Sequence, residues 1–164
     1  FFVGVTGFAE KEYVALVEGV PDGNSGHVHQ AVTGLSAHSE WTLLQAFPSK
    51  GKDSCALVKV RLHTGRKHQI RIHMAGLGHP VFGDPLYRRL SKHSHHQGSR
   101  MVPSAVEEAL VKWGSKKAGS LIFLHAQALR LRHPHMKEST LDIEAPLPPH
   151  FQHALSALSL RSAA

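Results

Sequence analysis

The sequence predicts an α+β domain, a mainly antiparallel sheet flanked by short helices. Three observations predict it. Apolar stretches of strand length outnumber those with helical periodicity, the connections are turns rather than regular helical crossovers, and two of the strand candidates alternate apolar with basic residues.

The first element is residues 12–18, Glu-Tyr-Val-Ala-Leu-Val-Glu, closed by Pro21-Asp22-Gly23. Proline presets φ and glycine accepts the left-handed region that a tight turn needs, so a buried strand ending in a turn is expected. Residues 41–47 give a second strand. Residues 57–63 give a third, with Val58, Val60 and Leu62 alternating against Lys59, Arg61 and His63. A period of two implies one buried face and one exposed basic face. Residues 128–133 repeat the pattern, with Leu129 and Leu131 against Arg130 and Arg132, and residues 141–145 can return beside them as a hairpin.

Helices are fewer. Thr64 is the expected N-cap of a helix over residues 66–75, which Gly76 and Gly78 end, with Lys67 and Arg71 on one face. Ser104-Ala-Val-Glu107 reads as a capping box after Pro103, with Val106, Leu110 and Trp113 on one stripe before Gly114. Phe151, Ala154, Leu155 and Leu158 form a third apolar stripe after Pro148-Pro149, expected to dock on the sheet. Residues 88–120 are rich in Ser, His, Lys and Gly and read as a surface insertion.

A length of 164 residues supports one domain, and 41% hydrophobic residues supply a core. The apolar runs are too short for a membrane-spanning helix, so no membrane partner is expected. Cys55 is the single cysteine, which excludes an intrachain disulfide and a cysteine-based zinc site and favours a reducing compartment. The expected address is intracellular, with cytoplasm, nucleus and mitochondrion left open. Nineteen Lys and Arg against 12 Asp and Glu give a net charge of +7, which favours a polyanionic partner such as nucleic acid. The chain opens on Phe1-Phe2 and reaches its first methionine at Met74, so the expectation is a portion of a longer product.

The densest functional signal is Leu62-His-Thr-Gly-Arg-Lys-His-Gln-Ile-Arg-Ile-His73, followed by Gly78-His-Pro-Val-Phe-Gly-Asp-Pro-Leu-Tyr87. A strand running through Thr64-Gly65 into a helix start gathers backbone N–H groups, Arg66 and Lys67 in one place, a phosphate-attracting arrangement. The competing reading is a basic, solvated helix edge.

These two blocks resemble the signature of the RluA-type family of RNA pseudouridine synthases. Lys11-Glu-Tyr13 resembles the family's Lys-x-Tyr strand, and Leu124-His-Ala126, His133-Pro134 and Ala145-Pro-Leu-Pro148 resemble its closing strands. The resemblance implies a cofactor-free isomerisation of uridine to pseudouridine in ribosomal or transfer RNA, on a nucleotide flipped from its stack. It implies that residues 1–164 are a single, N-terminally truncated catalytic domain. The catalytic aspartate belongs to a His-Arg-Leu-Asp block, absent here and expected upstream of residue 1; that N-terminal segment is an expected partner. Tyr13 matches the tyrosine that stacks on the base, with a buried strand aromatic as the alternative. Arg71 matches the arginine that pairs with the catalytic aspartate through a two-pronged contact. Ile70 is the expected pocket wall, or a plain core residue. Arg66, Lys67 and His68 are the expected contacts to the RNA backbone.

Asp84 is the tempting substitute for the missing carboxylate, but its place in Gly83-Asp-Pro85 suits a turn-forming acceptor better. His93, His95 and His96 lack an acidic or cysteine companion, so no metal is expected on them, and none on the chain as a whole. A non-catalytic RNA-binding or ribosome-associated scaffold is the alternative function, and a different residue at the upstream aspartate position would favour it. These 164 residues alone are expected to form no pseudouridine. Direct assay of the isolated polypeptide on RNA checks this, and product formation would overturn it.

Overall fold

The computed structural model describes residues 9–48, 54–88, 104–112, 121–133, 135–136 and 138–162. In chain order they form β1 (Ala9–Glu18), β2 (Ser25–Val28), β3 (Ser39–Phe47), β4 (Cys55–Leu62), α1 (Gln69–Gly76), α2 (Ser104–Lys112), β5 (Leu124–Arg132), β6 (Thr140–Glu144) and α3 (Pro149–Ser162). The six strands make one antiparallel sheet in the order β2-β3-β4-β1-β5-β6. The α+β class and the β5–β6 hairpin are as the sequence predicts. The strand carrying Tyr13 is central, paired on both sides, so the open edges are β2 and β6.

The sheet is buried on both faces rather than one. On one face Val14, Leu16, Cys55 and Leu57 pack with Phe82, Phe123, Val106 and Leu110 of α2, and Phe151, Ala154 and Leu158 of α3. On the other, Ala15, Val17, Ala56, Val58 and Val60 pack with Trp41, Val81, and Ile70 and Met74 of α1. Successive residues of β1 and β4 point to opposite faces, so runs such as Val14-Ala-Leu-Val17 are apolar throughout because each face has its own helical cover. Only toward Lys59 and Arg61 does alternation separate a buried face from a wetter one.

That wetter face is not free positive charge. Arg61 Nη2 donates to Glu12 Oε1 at 3.1 Å, and Lys59 Nζ lies 3.8 Å from Glu12 Oε2. Antiparallel register places Glu12 opposite Arg61. The expected exposed basic face is therefore largely neutralised by the neighbouring strand.

Three short segments lock the centre. Leu16 N–H donates to Phe123 O, Phe82 N–H to Leu16 O, and Phe123 N–H to Phe82 O, each at 3.0 Å. Gly83 follows with φ +75°, and a Cβ on it would lie 1.8 Å from the Leu121 carbonyl oxygen. Both the left-handed backbone and the close approach demand glycine. Gly83→Ala should destabilise the fold by about 2 kcal/mol or more, measured by urea unfolding.

Candidate active site at the entry to helix α1

The turn into α1 is built by Gln69. Its Oε1 accepts from Arg66 N–H at 2.9 Å and from the Thr64 hydroxyl at 2.8 Å; its Nε2 donates to His38 O at 3.0 Å and Ser39 Oγ at 2.9 Å. All four hydrogen-bonding positions of this buried amide are used. The helix accordingly starts at Gln69, three residues later than expected. Thr64 is not its cap: its Oγ1 accepts from His38 N–H at 2.9 Å while donating to Gln69. His68 occupies the N-cap position in the left-handed region, φ 58°, with no side-chain cap bond. Arg66 and Lys67 lie in the turn before α1, so the expected shared helix face of Lys67 and Arg71 does not form. Nor is Arg66 N–H free to cradle a phosphate.

At the other end, Gly78 N–H donates to Ala75 O and His79 N–H to Met74 O, with Gly78 at φ +94°, a Schellman closure. Gly78 thus ends the helix, while Gly76 belongs to it. His73 is buried between Ser39 Oγ, 2.9 Å from Nδ1, and Gln30 O, 2.8 Å from Nε2. A carbonyl only accepts, so Nε2 carries the proton. Burial holds the His73 pKa below the ordinary histidine value, against the opposing pull of the Gln30 bond.

Arg71 finds its anion within the chain. Its Nε and Nη2 donate to Asp84 Oδ2 and Oδ1, both at 2.7 Å, with side chains 11% and 0% exposed. Asp84 Oδ1 also accepts from the Leu86 and Tyr87 N–H groups at 2.9 and 3.1 Å, which is the turn role its sequence context suggests. Burial alone would raise the Asp84 pKa; the Arg71 bonds, the two backbone N–H groups and the Arg71 charge outweigh it and hold the carboxyl below its usual range. The Arg71 guanidinium lies 4.9 Å from the centre of the Tyr87 ring, and the Tyr87 hydroxyl is 3.0 Å from His68 Nδ1. Burial, then the charges of Arg71 and Lys67, lower the His68 pKa, which makes this side chain a neutral hydrogen-bonding ring at pH 7 rather than a cation.

Lys11 and Tyr13 are two apart on β1 and so share a face, the one covered by α1. Tyr13 packs, partly buried, on the cluster that contains Ile70, so the two residues lie on the same face of the sheet. Its cross-strand neighbours are Val60 and Ala126. Ala126 is small and exposed, and the β1–β5 register shifts between Glu12 and Tyr13, so the sheet is open beside the tyrosine. The Lys11 ammonium reaches the turn, 3.6 Å from where a Gly65 Cβ would stand. It therefore joins exposed Arg66 and Lys67 in one basic patch, a contribution that the strand pattern alone did not reveal. Arg66 Nε is anchored on Ser36 O at 3.1 Å.

The opposite face holds an open depression of about 530 Å³ lined by Glu12, Lys59, Glu144 and Pro146 among others. Its acidic lining disfavours phosphate. His93, His95 and His96, with most of the 88–120 insertion, lie outside the described residues; Arg88 and α2 are its described parts. Elsewhere, His27, His29 and His38 bring their ring nitrogens within 4.8 Å of one another.

A sheet with this helix arrangement is the fold of pseudouridylate synthase domains. The human RNA pseudouridylate synthase domain containing 4 superposes with a TM-score of 0.60 at 26% identity, over 92% of this chain and 62% of that one. The human domain containing 1 shares the fold, with a TM-score of 0.59 at 20% identity. Residues 6–76 match the family model described as RNA pseudouridylate synthase. An RNA pseudouridine synthase of Chlorobaculum parvum is 33% identical over 158 residues, 85% of this chain and 44% of that protein. Ribosomal large subunit pseudouridine synthase D of Neisseria meningitidis is 38% identical over 105 residues, 64% of this chain and 24% of that protein. Over these stretches the chain is similar to RNA pseudouridine synthases of the RluA type. It spans less than half the length of these curated relatives.

Two buried groups contribute to the loss of stability in acid. The depressed Asp84 pKa means its contribution is complete above the unfolded value near 3.9 and is lost as pH falls through the folded value. His73 is likewise depressed, so stability also falls as pH drops below about 6.5, where the unfolded chain takes up the proton first. Asp84→Asn should cost about 3 kcal/mol at pH 7, because it leaves the Arg71 charge buried and unpaired, and the loss should shrink below pH 4. Urea unfolding of both proteins across pH checks magnitude and sign.

Proposed function

We propose that this chain is the Tyr13- and Arg71-bearing part of an RNA pseudouridine synthase, which isomerises uridine to pseudouridine in ribosomal or transfer RNA. The observation that carries the reading is the common placement of Tyr13, Ile70 and the Lys11–Arg66–Lys67 patch on the α1 side of the sheet. A patch of exposed cations suits the phosphate backbone, and the open sheet surface between Tyr13 and Ala126 suits one flipped base. The family-model match over residues 6–76 and the names of the relatives support it.

The reaction breaks the N1–C1′ bond and forms a C5–C1′ bond; N1 gains a proton and C5 loses one. Cleavage calls for an ionised carboxylate beside the sugar or base. Asp84 is unsuited, since both of its oxygens are engaged and it is fully buried. The carboxylate is therefore assigned to polypeptide outside these residues, oriented by Arg71. The Asp84 bonds use two of the five guanidinium N–H groups, so the fork retains donors for a second anion. Tyr13 stacks on the base and relays a proton; Ile70 forms the apolar wall.

Release of tritium from RNA labelled at uridine C5 tests this in the full-length protein. Tyr13→Phe should lower turnover about 100-fold or more while leaving RNA affinity nearly unchanged. Arg66→Ala with Lys67→Ala should weaken binding across RNA sequences and reduce the salt slope by about one for each phosphate no longer neutralised. Unaltered turnover in the tyrosine variant would remove Tyr13 from the chemistry.

A further inference from the structure

Four histidines converge at one end of β2, β3 and β4, remote in sequence but adjacent in the sheet. His27 lies opposite Glu40 in the β2–β3 ladder, and His29 follows it by two residues, so their rings lie on one side, 6.3 Å apart. His38 precedes β3 and His63 follows β4; because Ser39 pairs with Leu62, these two histidines meet, with His63 N–H donating to His38 O at 3.1 Å. The His38 ring then stacks on His29 at 4.1 Å and on His63 at 4.1 Å.

One pair already has the spacing of metal ligands. His27 Nδ1 and His38 Nε2 are 3.2 Å apart, and nitrogens bound tetrahedrally to zinc at 2.0–2.1 Å are about 3.3 Å apart. One ligand atom from each of His27, His29 and His38 lies within 4.8 Å of the others, and the exposed rings of His27 and His29 can close that remaining gap by side-chain rotation. Coordination requires unprotonated nitrogens. Outside the three, His63 supports the His38 ring and is itself held by Glu40 Oε2, 3.3 Å from its Nε2.

We propose that His27, His29 and His38 form a zinc-binding site with water in the fourth position. Imidazole donors and a three-plus-one arrangement suit zinc, while hard cations that require several oxygens do not fit. The ion would fasten edge strand β2 and the loop over residues 29–38 to the turn before α1. The protein part of that link is in place: His38 N–H donates to Thr64 Oγ1, and His38 O accepts from Gln69 Nε2. This inference does not depend on the proposed reaction, and its readout is not catalytic.

The test is zinc titration of full-length protein freed of metal by a chelator, followed calorimetrically, with bound metal measured by atomic emission. Cobalt(II) substitution provides a visible spectrum that reports tetrahedral geometry. One equivalent of zinc should bind, and amide hydrogen exchange over residues 25–40 should slow on addition. His29→Ala should lower affinity at least about 100-fold, more than removal of an outer partner costs, whereas His135→Ala should leave it unchanged. His29→Gln, with circular dichroism of each variant, separates ligand removal from misfolding. Absence of retained zinc, equal affinity in folded His29 variants, or an octahedral cobalt spectrum would overturn the proposal.

Discussion

The buried pair between Arg71 and Asp84 ties helix α1 to the turn over residues 81–88, and the surroundings of the candidate site depend on that tie. A bidentate fork fixes both the position and the roll of the guanidinium, which a single lysine contact would not do. Through the same carboxylate the Leu86 and Tyr87 amides are drawn in, which sets the Tyr87 ring beneath Arg71 and its hydroxyl against His68. Gly83 is the geometric condition for all this, because any larger residue would push the turn off the Leu121 carbonyl. The arrangement is expensive to disturb. Removing either charge leaves the other without its partner in a poorly solvated place.

Electrostatics then distinguishes two faces that the sequence leaves looking alike. Basic residues alternate along β4 and β5, yet Glu12 bonds Arg61, and Asp142 bonds Arg130 at 2.5 Å. Exposed pairs of this kind add little to stability, but they remove net positive potential from that side. Among the described residues, no carboxylate pairs in this way with Lys11, Arg66 or Lys67. The positive field that would draw a polyanion is thus concentrated at the turn before α1 rather than along the strands.

Much of this was legible in the chain. Five of the six strands follow from alternation and apolar runs, and the motif resemblance singles out Tyr13 and Ile70, which share the α1 face of the sheet. β2 escaped because Ser-Gly-His-Val has no apolar period; it exists because Trp41 lies across Gly26, where a Cβ would stand 2.7 Å from the indole nitrogen. The late start of α1 escaped because the side chain that organises the turn, Gln69, acts from inside the helix on residues 38 and 39, contacts that no local pattern encodes. The histidine cluster escaped for the same reason. Positions 27, 29, 38 and 63 meet only once the strand order is known.

The Asp84 pairing also bears on the chemistry proposed for the full-length protein. A carboxylate that meets an otherwise unpaired buried arginine is strongly stabilised as an anion, which lowers its basicity and its reactivity together. Here Arg71 already shares its charge with Asp84, and that partner is satisfied by the Arg71 bonds and two backbone N–H groups. A second carboxylate approaching the remaining guanidinium edge would be oriented by hydrogen bonds while meeting a smaller net positive charge. It would stay ionised at neutral pH without being quenched. On that proposal the internal pair would let Arg71 act as a positioning residue and would keep the arginine ordered before a second anion arrived.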